Sequence, residues 1–149
     1  MAAFVEEYGT NECYDDFMGE LMTKDETHES VTKYIESLNL QDYIQPAYRT
    51  GAVARTSVTH ETKACGPGSV NIKLPVSYRT GEVQGVWDHE IGTHFLRRFN
   101  ERFQPWAGNK YAKFGIERDL KTEEGVASVN QLVRGVSSPF ISDLYSFFV

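Results

Sequence analysis

The sequence predicts a single α+β domain in which a small antiparallel sheet packs on helices, and three observations lead to this fold class. The 149 residues are enough for one domain with its own core. Residues 52–78 hold two stretches of alternating apolar and polar residues around a Gly-Pro-Gly turn, which is typical of a β-hairpin. Apolar residues recur at helical spacing before and after the hairpin, over residues 30–45 and 83–103.

The first third of the chain predicts two helices. Residues 14–24 form a short one, and residues 30–45 form a better one with apolar side chains at helical spacing. Ser30 is placed to cap the second helix, because its hydroxyl can accept from a backbone N–H of the first turn. Pro46 ends it, because proline has no N–H to donate.

The rest of the chain predicts the hairpin followed by further helices. Pro75 places the second strand at a sheet edge or ends it. A long helix covers residues 83–103, and after a loop another helix begins near Thr122 and ends near Gly135. A last helix begins at Ser138 and runs into an apolar cluster at the end of the sequence.

Charge and cysteine content exclude several classes of partner. The net charge is −6, and residues 1–47, with 11 acidic and two basic residues, form an acidic helical N-terminal segment. No Lys/Arg surface is dense enough to bind nucleic acid phosphates, and no run of about 18 apolar residues could span a membrane. Cys13 and Cys65 form no disulfide framework, and the first residues lack a secretory leader pattern, so we expect a cytoplasmic protein.

The stretch DHEIGTHFLRR carries the residues with the strongest chemical signal. His89 and His94 flank Glu90 on the predicted long helix. Zinc binds imidazole nitrogens and carboxylate oxygens, and catalytic sites use three protein ligands with a fourth position left open. His89 and His94 are therefore candidate zinc ligands, and Glu90 would lie beside the ion as a general base.

The spacing of the two histidines requires an unusual helix. Residues five apart in an ideal α-helix differ by about 140° around the axis, so the imidazoles could not share one ion. One wider turn with an i to i+5 hydrogen bond returns both to the same face, and such turns occur mostly at functional sites. Gly92 lies inside this turn and tolerates unusual dihedrals. The spacing therefore predicts a π-bulge between His89 and His94.

A third ligand could come from the stretch KTEEGVAS, about 30 residues further along the chain. Glu123 and Glu124 lie in the first turn of the next predicted helix. Acidic residues there are also common because they complement the helix dipole, and the two histidines could be ordinary core and surface residues. A two-histidine site nevertheless needs a third ligand, and a neighbouring helix is a suitable source.

Taken together, DHEIGTHFLRR, NERFQPW and TEEGVAS resemble the microtubule-associated tyrosine carboxypeptidases. This family removes the terminal tyrosine of α-tubulin and carries HExxxH and EEGLA-type motifs. The resemblance covers about residues 50–135 and implies a zinc metallopeptidase with a zincin-like core, in which residues 48–149 form the catalytic core of a single domain. Family members are considerably longer and have a basic N-terminal region that binds microtubules, so the chain resembles a short or fragmentary member.

The resemblance also implies roles for individual residues. His89 and His94 would be zinc ligands, Glu90 would be the general base, and the third ligand would lie in TEEG. The wider group of zinc peptidases with a glutamate ligand places it directly before a glycine. This favours Glu124 over Glu123.

A carboxypeptidase must recognise the free C-terminal carboxylate of its substrate, here a protein tail such as that of α-tubulin. Arginine suits this task because its guanidinium binds a carboxylate through two parallel hydrogen bonds. Arg79 is the first candidate, Arg55 the second and Lys73 the third; each is otherwise an ordinary solvated charge. The acidic residues 1–47 would repel the acidic tubulin tail, which argues against microtubule association through this segment.

Two other functions remain open at this point. Dipeptidyl peptidases with an HExxGH motif share the five-residue spacing, although their glycine precedes the second histidine, where this chain has Thr93. A non-catalytic binding module could also retain a zincin fold. The complete set of His89, Glu90, His94 and Glu124 argues against that module, because binding alone needs no general base.

Overall fold

The computed structural model describes residues 18–61, 66–107, 111–116 and 120–135, and within them it confirms an α+β fold. Helix α1 is Lys24–Ser37, and strands β1, β2 and β3 are Ile44–Thr50, Thr56–Thr59 and Gly68–Leu74. A long helix follows in three parts, α2 (Val83–His89), a π turn (Glu90–Phe95) and α3 (Leu96–Glu101). A 3₁₀ turn (Tyr111–Phe114) and helix α4 (Leu120–Gly135) complete the described elements.

Helix α1 begins and ends earlier than the sequence predicted. Thr23 caps it in a capping box, in which the Glu26 carboxylate accepts from the Thr23 backbone N–H at 2.7 Å and the Thr23 hydroxyl accepts from the Glu26 N–H. This reciprocal pair satisfies two otherwise unpaired groups, which Ser30 alone could not do. Ser30 lies inside α1 instead, where its hydroxyl accepts from the Trp87 indole at 2.9 Å.

The sheet is mixed, which corrects the prediction of a purely antiparallel one. Strands β2 and β3 pair in antiparallel fashion, as the hairpin pattern predicted, and β3 ends at Leu74, next to Pro75. Strand β1 pairs with β3 in parallel and gives the order β1-β3-β2. Residues 44–45, predicted as the end of a helix, and Pro46 belong to β1. The proline is tolerated because β1 is an edge strand and needs no ladder donor there.

The long helix packs across the sheet and supplies much of the core. Trp87, Ile91 and Phe95 are fully buried, and full burial of each such side chain contributes roughly 1.5–3 kcal/mol. Trp87 therefore packs in the core. The core also contains buried residues of α1, the sheet and the segment that follows it, among them Val31, Ile35, Ile44, Val70, Ile72 and Tyr78.

Helix α4 crosses α2 at very short range. A methyl group added to Gly85 would lie 2.5 Å from the Gln131 carbonyl oxygen, so the two backbones are in direct contact there. Helix α4 covers the whole described stretch Leu120–Gly135, which includes the helix predicted between Thr122 and Gly135.

The helix predicted from Ser138 lies outside the described residues, and so do residues 14–17 of the helix predicted at 14–24. The described remainder corrects that prediction, because residues 19–23 form no helix. Gly19 has a positive φ of 73°, which a right-handed helix does not allow, and Leu21 forms a β-bridge with Arg79. No described helix is long and apolar enough to cross a membrane.

The contact between α2 and α4 can be tested with two glycine substitutions. We expect Gly85→Ala to destabilise the protein by about 1–3 kcal/mol, because the new methyl group meets a backbone oxygen that cannot rotate away. Gly125→Ala is the matched control on α4, since an added methyl group meets nothing within 4 Å and should stabilise the helix by up to about 1 kcal/mol. Urea unfolding measures both, and equal effects would contradict the close crossing.

Candidate metal centre

The π turn brings the two motif histidines together, and the predicted bulge is confirmed. Residues Glu90–Phe95 form π-helix between two α-helical segments. The imidazole centroids of His89 and His94 are 5.0 Å apart, and their Nε2 atoms are 3.3 Å apart. A regular α-helix would have separated these side chains by about 140°. The extra residue in the turn is therefore what creates the histidine pair.

A buried network holds the π turn in place. The Thr93 hydroxyl donates to the Asp88 carbonyl at 3.0 Å, across the same five-residue interval as the π hydrogen bonds. Asn130 on α4 donates to the Thr93 hydroxyl at 2.8 Å. On the other side, Tyr34 of α1 donates to the Asp88 carboxylate at 2.7 Å. A methyl group added to Gly92 would lie 2.6 Å from that tyrosine hydroxyl, so the turn admits only glycine there without displacement.

Helix α4 supplies a third potential metal ligand beside the two histidines. The Oε2 atom of Glu124 lies 3.8 Å from His89 Nε2 and 3.5 Å from His94 Nε2. The Glu124 side chain is 52% exposed, whereas both imidazoles are mostly buried. These three residues form a group whose ligand atoms all lie within 4.8 Å of one another.

The three donors suit a zinc ion in both chemistry and spacing. A tetrahedral ion with bonds of about 2.0–2.2 Å holds its ligand atoms about 3.3–3.6 Å apart. The observed separations of 3.3, 3.5 and 3.8 Å are close to that range. Two imidazole nitrogens and one carboxylate oxygen are also ligand types that zinc accepts, and three protein ligands leave a position for water or substrate.

Glu123, which the sequence left as an alternative ligand, contacts His94 through Nδ1, the ring nitrogen that faces away from Glu124. Its Oε1 atom lies 2.8 Å from His94 Nδ1, and its Oε2 atom lies 2.5 Å from an Arg97 guanidinium nitrogen. Burial acts to raise the pKa of Glu123, but the hydrogen bonds from Arg97 and His94 outweigh it and hold that pKa below its usual value. The sequence motifs did not indicate that Arg97 contacts Glu123.

Glu90 lies at a cavity beside the donor group. The cavity has a volume of about 190 Å³, and its lining includes His89, Glu90 and Arg55. Burial raises the pKa of the Glu90 carboxyl above its usual value, although the charges of the two motif histidines oppose this shift. A carboxylate with a raised pKa is a stronger base than an exposed one, which suits proton transfer near neutral pH. Thr56 and Gln131 also line this cavity and were not singled out from the sequence.

The three candidates for carboxylate recognition occupy different places. Arg55 lines the cavity with Glu90, and its guanidinium forms a two-point pair with Glu82 at 2.7 and 3.3 Å. The Arg79 guanidinium donates to the Gly19 carbonyl at 2.8 Å and so ties down the segment before α1. Lys73 lies on β3, opposite Arg49 of β1 in the parallel register. Of the three candidates, only Arg55 lines the cavity beside His89 and Glu90.

An α+β fold with two imidazoles and a carboxylate converging from successive helices defines a protein with a candidate centre for a zinc-type ion. Comparison with known proteins agrees with the resemblance drawn from the motifs. No family model matches the chain. The chain is 28% identical to the mouse protein named "Microtubule-associated tyrosine carboxypeptidase 1" over 133 residues, which are 88% of this chain and 28% of that protein.

Two further relatives have similar names. The mouse protein named "Putative tyrosine carboxypeptidase MATCAP2" is 28% identical over 89% of this chain and 25% of its own length. The human "Microtubule-associated tyrosine carboxypeptidase 1" is 27% identical over 88% of this chain and 27% of its own length. The resemblance to tyrosine carboxypeptidases is thus confirmed at low identity. The chain spans about a quarter of the length of these relatives.

The fit between Gly92 and Tyr34 generates a prediction for the π turn. We expect Gly92→Ala to destabilise the protein by about 1–3 kcal/mol, because the methyl group displaces the Tyr34 hydroxyl from Asp88. In a Tyr34→Phe background the same substitution should cost less, since the displaced hydroxyl is already gone. Urea unfolding of the two single variants and the double variant measures this coupling. Additive effects would show that the contact does not constrain the turn.

Proposed function

We propose that this chain is the catalytic core of a zinc-dependent metallocarboxypeptidase that removes a C-terminal tyrosine from a protein tail such as that of α-tubulin. The observation that carries the proposal is the convergence of His89, His94 and Glu124 within 4.8 Å, with Glu90 next to the first ligand. The names of the relatives support a carboxypeptidase, and they suggest tyrosine as the residue removed and the cytoskeleton as its place of action.

The chain's own residues divide the chemistry between them. His89, His94 and Glu124 would hold the zinc ion, which, when bound, acidifies water and polarises the scissile carbonyl. Glu90 takes a proton from the attacking water and passes it to the leaving amine as the peptide bond breaks. Its partly buried position at the edge of the cavity supports this role, because the carboxylate is shielded from bulk solvent yet reaches the site.

Arg55 is the residue we propose to bind the terminal carboxylate of the substrate. It lies at the same cavity as His89 and Glu90, and its side chain is 40% exposed. The pair with Glu82 orients the guanidinium and leaves further N–H groups available to a ligand, since arginine has five donors. Arg79 and Lys73 remain alternatives of lower rank, because Arg79 is bound to a backbone carbonyl and Lys73 is not among the cavity-lining residues.

Substitutions in the candidate site separate metal binding from turnover. We expect His89→Ala, His94→Ala and Glu124→Ala to lose the bound zinc, because each removes one of three protein ligands. Glu90→Gln should retain zinc and lose at least about 100-fold in kcat, because only the base is removed. Elemental analysis and cleavage of a peptide ending Glu-Glu-Tyr measure the two effects. Unchanged zinc content in all three Ala variants, or full activity of Glu90→Gln, would contradict these roles.

Recognition of the substrate's C-terminal carboxylate can be tested separately. We expect the peptide with a free C-terminus to be cleaved and its C-terminally amidated form to resist cleavage, because amidation removes the negative charge. Arg55→Met should lower kcat/KM for the free acid by about 10- to 100-fold, the typical effect of losing a charge-assisted contact. Arg79→Met is the comparison variant, and a larger loss there would transfer the role to Arg79.

The same assays distinguish the two alternative functions. An HExxGH-type dipeptidyl peptidase would require a free amino terminus and tolerate an amidated C-terminus. A non-catalytic binding module would bind the peptide without cleaving it, even with zinc present.

A further inference from the structure

We propose that Glu123 is a positioning residue that orients the ligand His94 and that Arg97 holds Glu123 in place. The inference rests on the proposed function, because it concerns how the zinc ligands are arranged. It assigns different roles to the two adjacent glutamates of the TEEG stretch. Glu124 supplies a ligand atom, and Glu123 controls the imidazole that binds beside it.

The His94 ring lies between the two glutamates. Its Nδ1 atom is 2.8 Å from Glu123 Oε1, and its Nε2 atom is 3.5 Å from Glu124 Oε2. Successive residues of an α-helix point about 100° apart, so neighbouring carboxylates on α4 can reach opposite sides of one ring. In this arrangement each glutamate lies near a different nitrogen of His94, so we expect the two to have different roles.

The contact with Glu123 determines which nitrogen of His94 can bind metal. An ionised carboxylate only accepts hydrogen bonds, so the shared proton lies on Nδ1 and the lone pair lies on Nε2. Nε2 is the atom that faces His89 Nε2 and Glu124. A carboxylate bonded to the second nitrogen also makes an imidazole a better ligand.

The two histidines differ in this support. The His89 Nδ1 atom is buried and has no hydrogen-bond partner among the described residues. Glu123 therefore orients one ligand of the pair and not the other.

Arg97 completes the arrangement from the long helix. It follows His94 by three residues, so both side chains lie on the same face of that helix and can reach the same carboxylate. The Arg97 guanidinium lies 2.5 Å from Glu123 Oε2, the oxygen that His94 does not use. The Glu123 side chain is only 10% exposed, whereas Arg97 is 44% exposed. The arginine thus supplies a positive charge to a largely buried carboxylate whose other oxygen contacts His94.

A purely structural ion pair between α3 and α4 is the competing explanation. Such a pair would affect the stability of the fold and would leave metal affinity unchanged. The experiment therefore measures zinc affinity by competition with a chromogenic chelator on the whole chain, and unfolding by urea in parallel. The variants are Glu123→Gln, Glu123→Ala and Arg97→Met. Glu29→Gln, on the exposed face of α1, is the matched control for the loss of one negative charge.

We expect the parent to bind one zinc ion and Glu123→Ala to bind one zinc ion with about 10- to 100-fold lower affinity. Glu123→Gln and Arg97→Met should fall between them, because the amide still accepts from His94 and the unpaired carboxylate is less well fixed. Glu29→Gln should match the parent. The visible spectrum of the cobalt-substituted Glu123→Gln variant should keep the intensity of four-coordinate cobalt, since no ligand is lost.

Three other results would overturn either the inference alone or the proposed function with it. Parent-like zinc affinity in Glu123→Ala, whatever its urea midpoint, overturns the positioning role and leaves the proposed function intact. Loss of stoichiometric zinc in Glu123→Ala together with its retention in Glu124→Ala makes Glu123 the ligand and also overturns the inference. Failure of the parent to bind zinc overturns the proposed function, and the inference falls with it. If Glu123→Ala does not fold, Glu123→Gln gives the same decision.

Discussion

The π turn is the constraint on which the candidate centre depends. Five-residue spacing of His89 and His94 cannot place two imidazoles on one face of a regular α-helix. The turn over Glu90–Phe95 does so, and it leaves the Nε2 atoms 3.3 Å apart. A widened turn is intrinsically unfavourable, so its neighbours must support it. Asp88 and Thr93 provide this support within the helix.

Contacts from both flanking helices make the turn part of the tertiary structure. Tyr34 of α1 fixes the Asp88 side chain, and Asn130 of α4 fixes the Thr93 hydroxyl. The Asn130 contact and the close crossing at Gly85 also set the position of α4 along the long helix. That position determines where Glu124 arrives. The turn and the third donor are therefore not independent, because the same helix packing produces both.

The sequence predicted those parts of the fold whose cause is local. The pairing of β2 with β3 followed from the alternation around a Gly-Pro-Gly turn, and the bulge followed from the histidine spacing. The prediction missed strand β1, because it extended a helix as far as residue 45. Its parallel partner lies 24 residues further along the chain, and no pattern within one segment reveals such a pairing.

The sequence by itself determined the chemistry of the candidate site. For His89 and His94 to share a zinc ion, as we propose, their five-residue spacing requires a bulge and the site requires a third ligand. Only the tertiary structure shows that Glu124 groups with both histidines, and that Arg55 is the candidate basic residue that lines the cavity with Glu90. Adjacent glutamates have the same local propensities, but Glu123 contacts His94 Nδ1 and Arg97, whereas Glu124 lies near the Nε2 atoms of both histidines. That depends on the rotation and axial position of α4, which long-range packing sets.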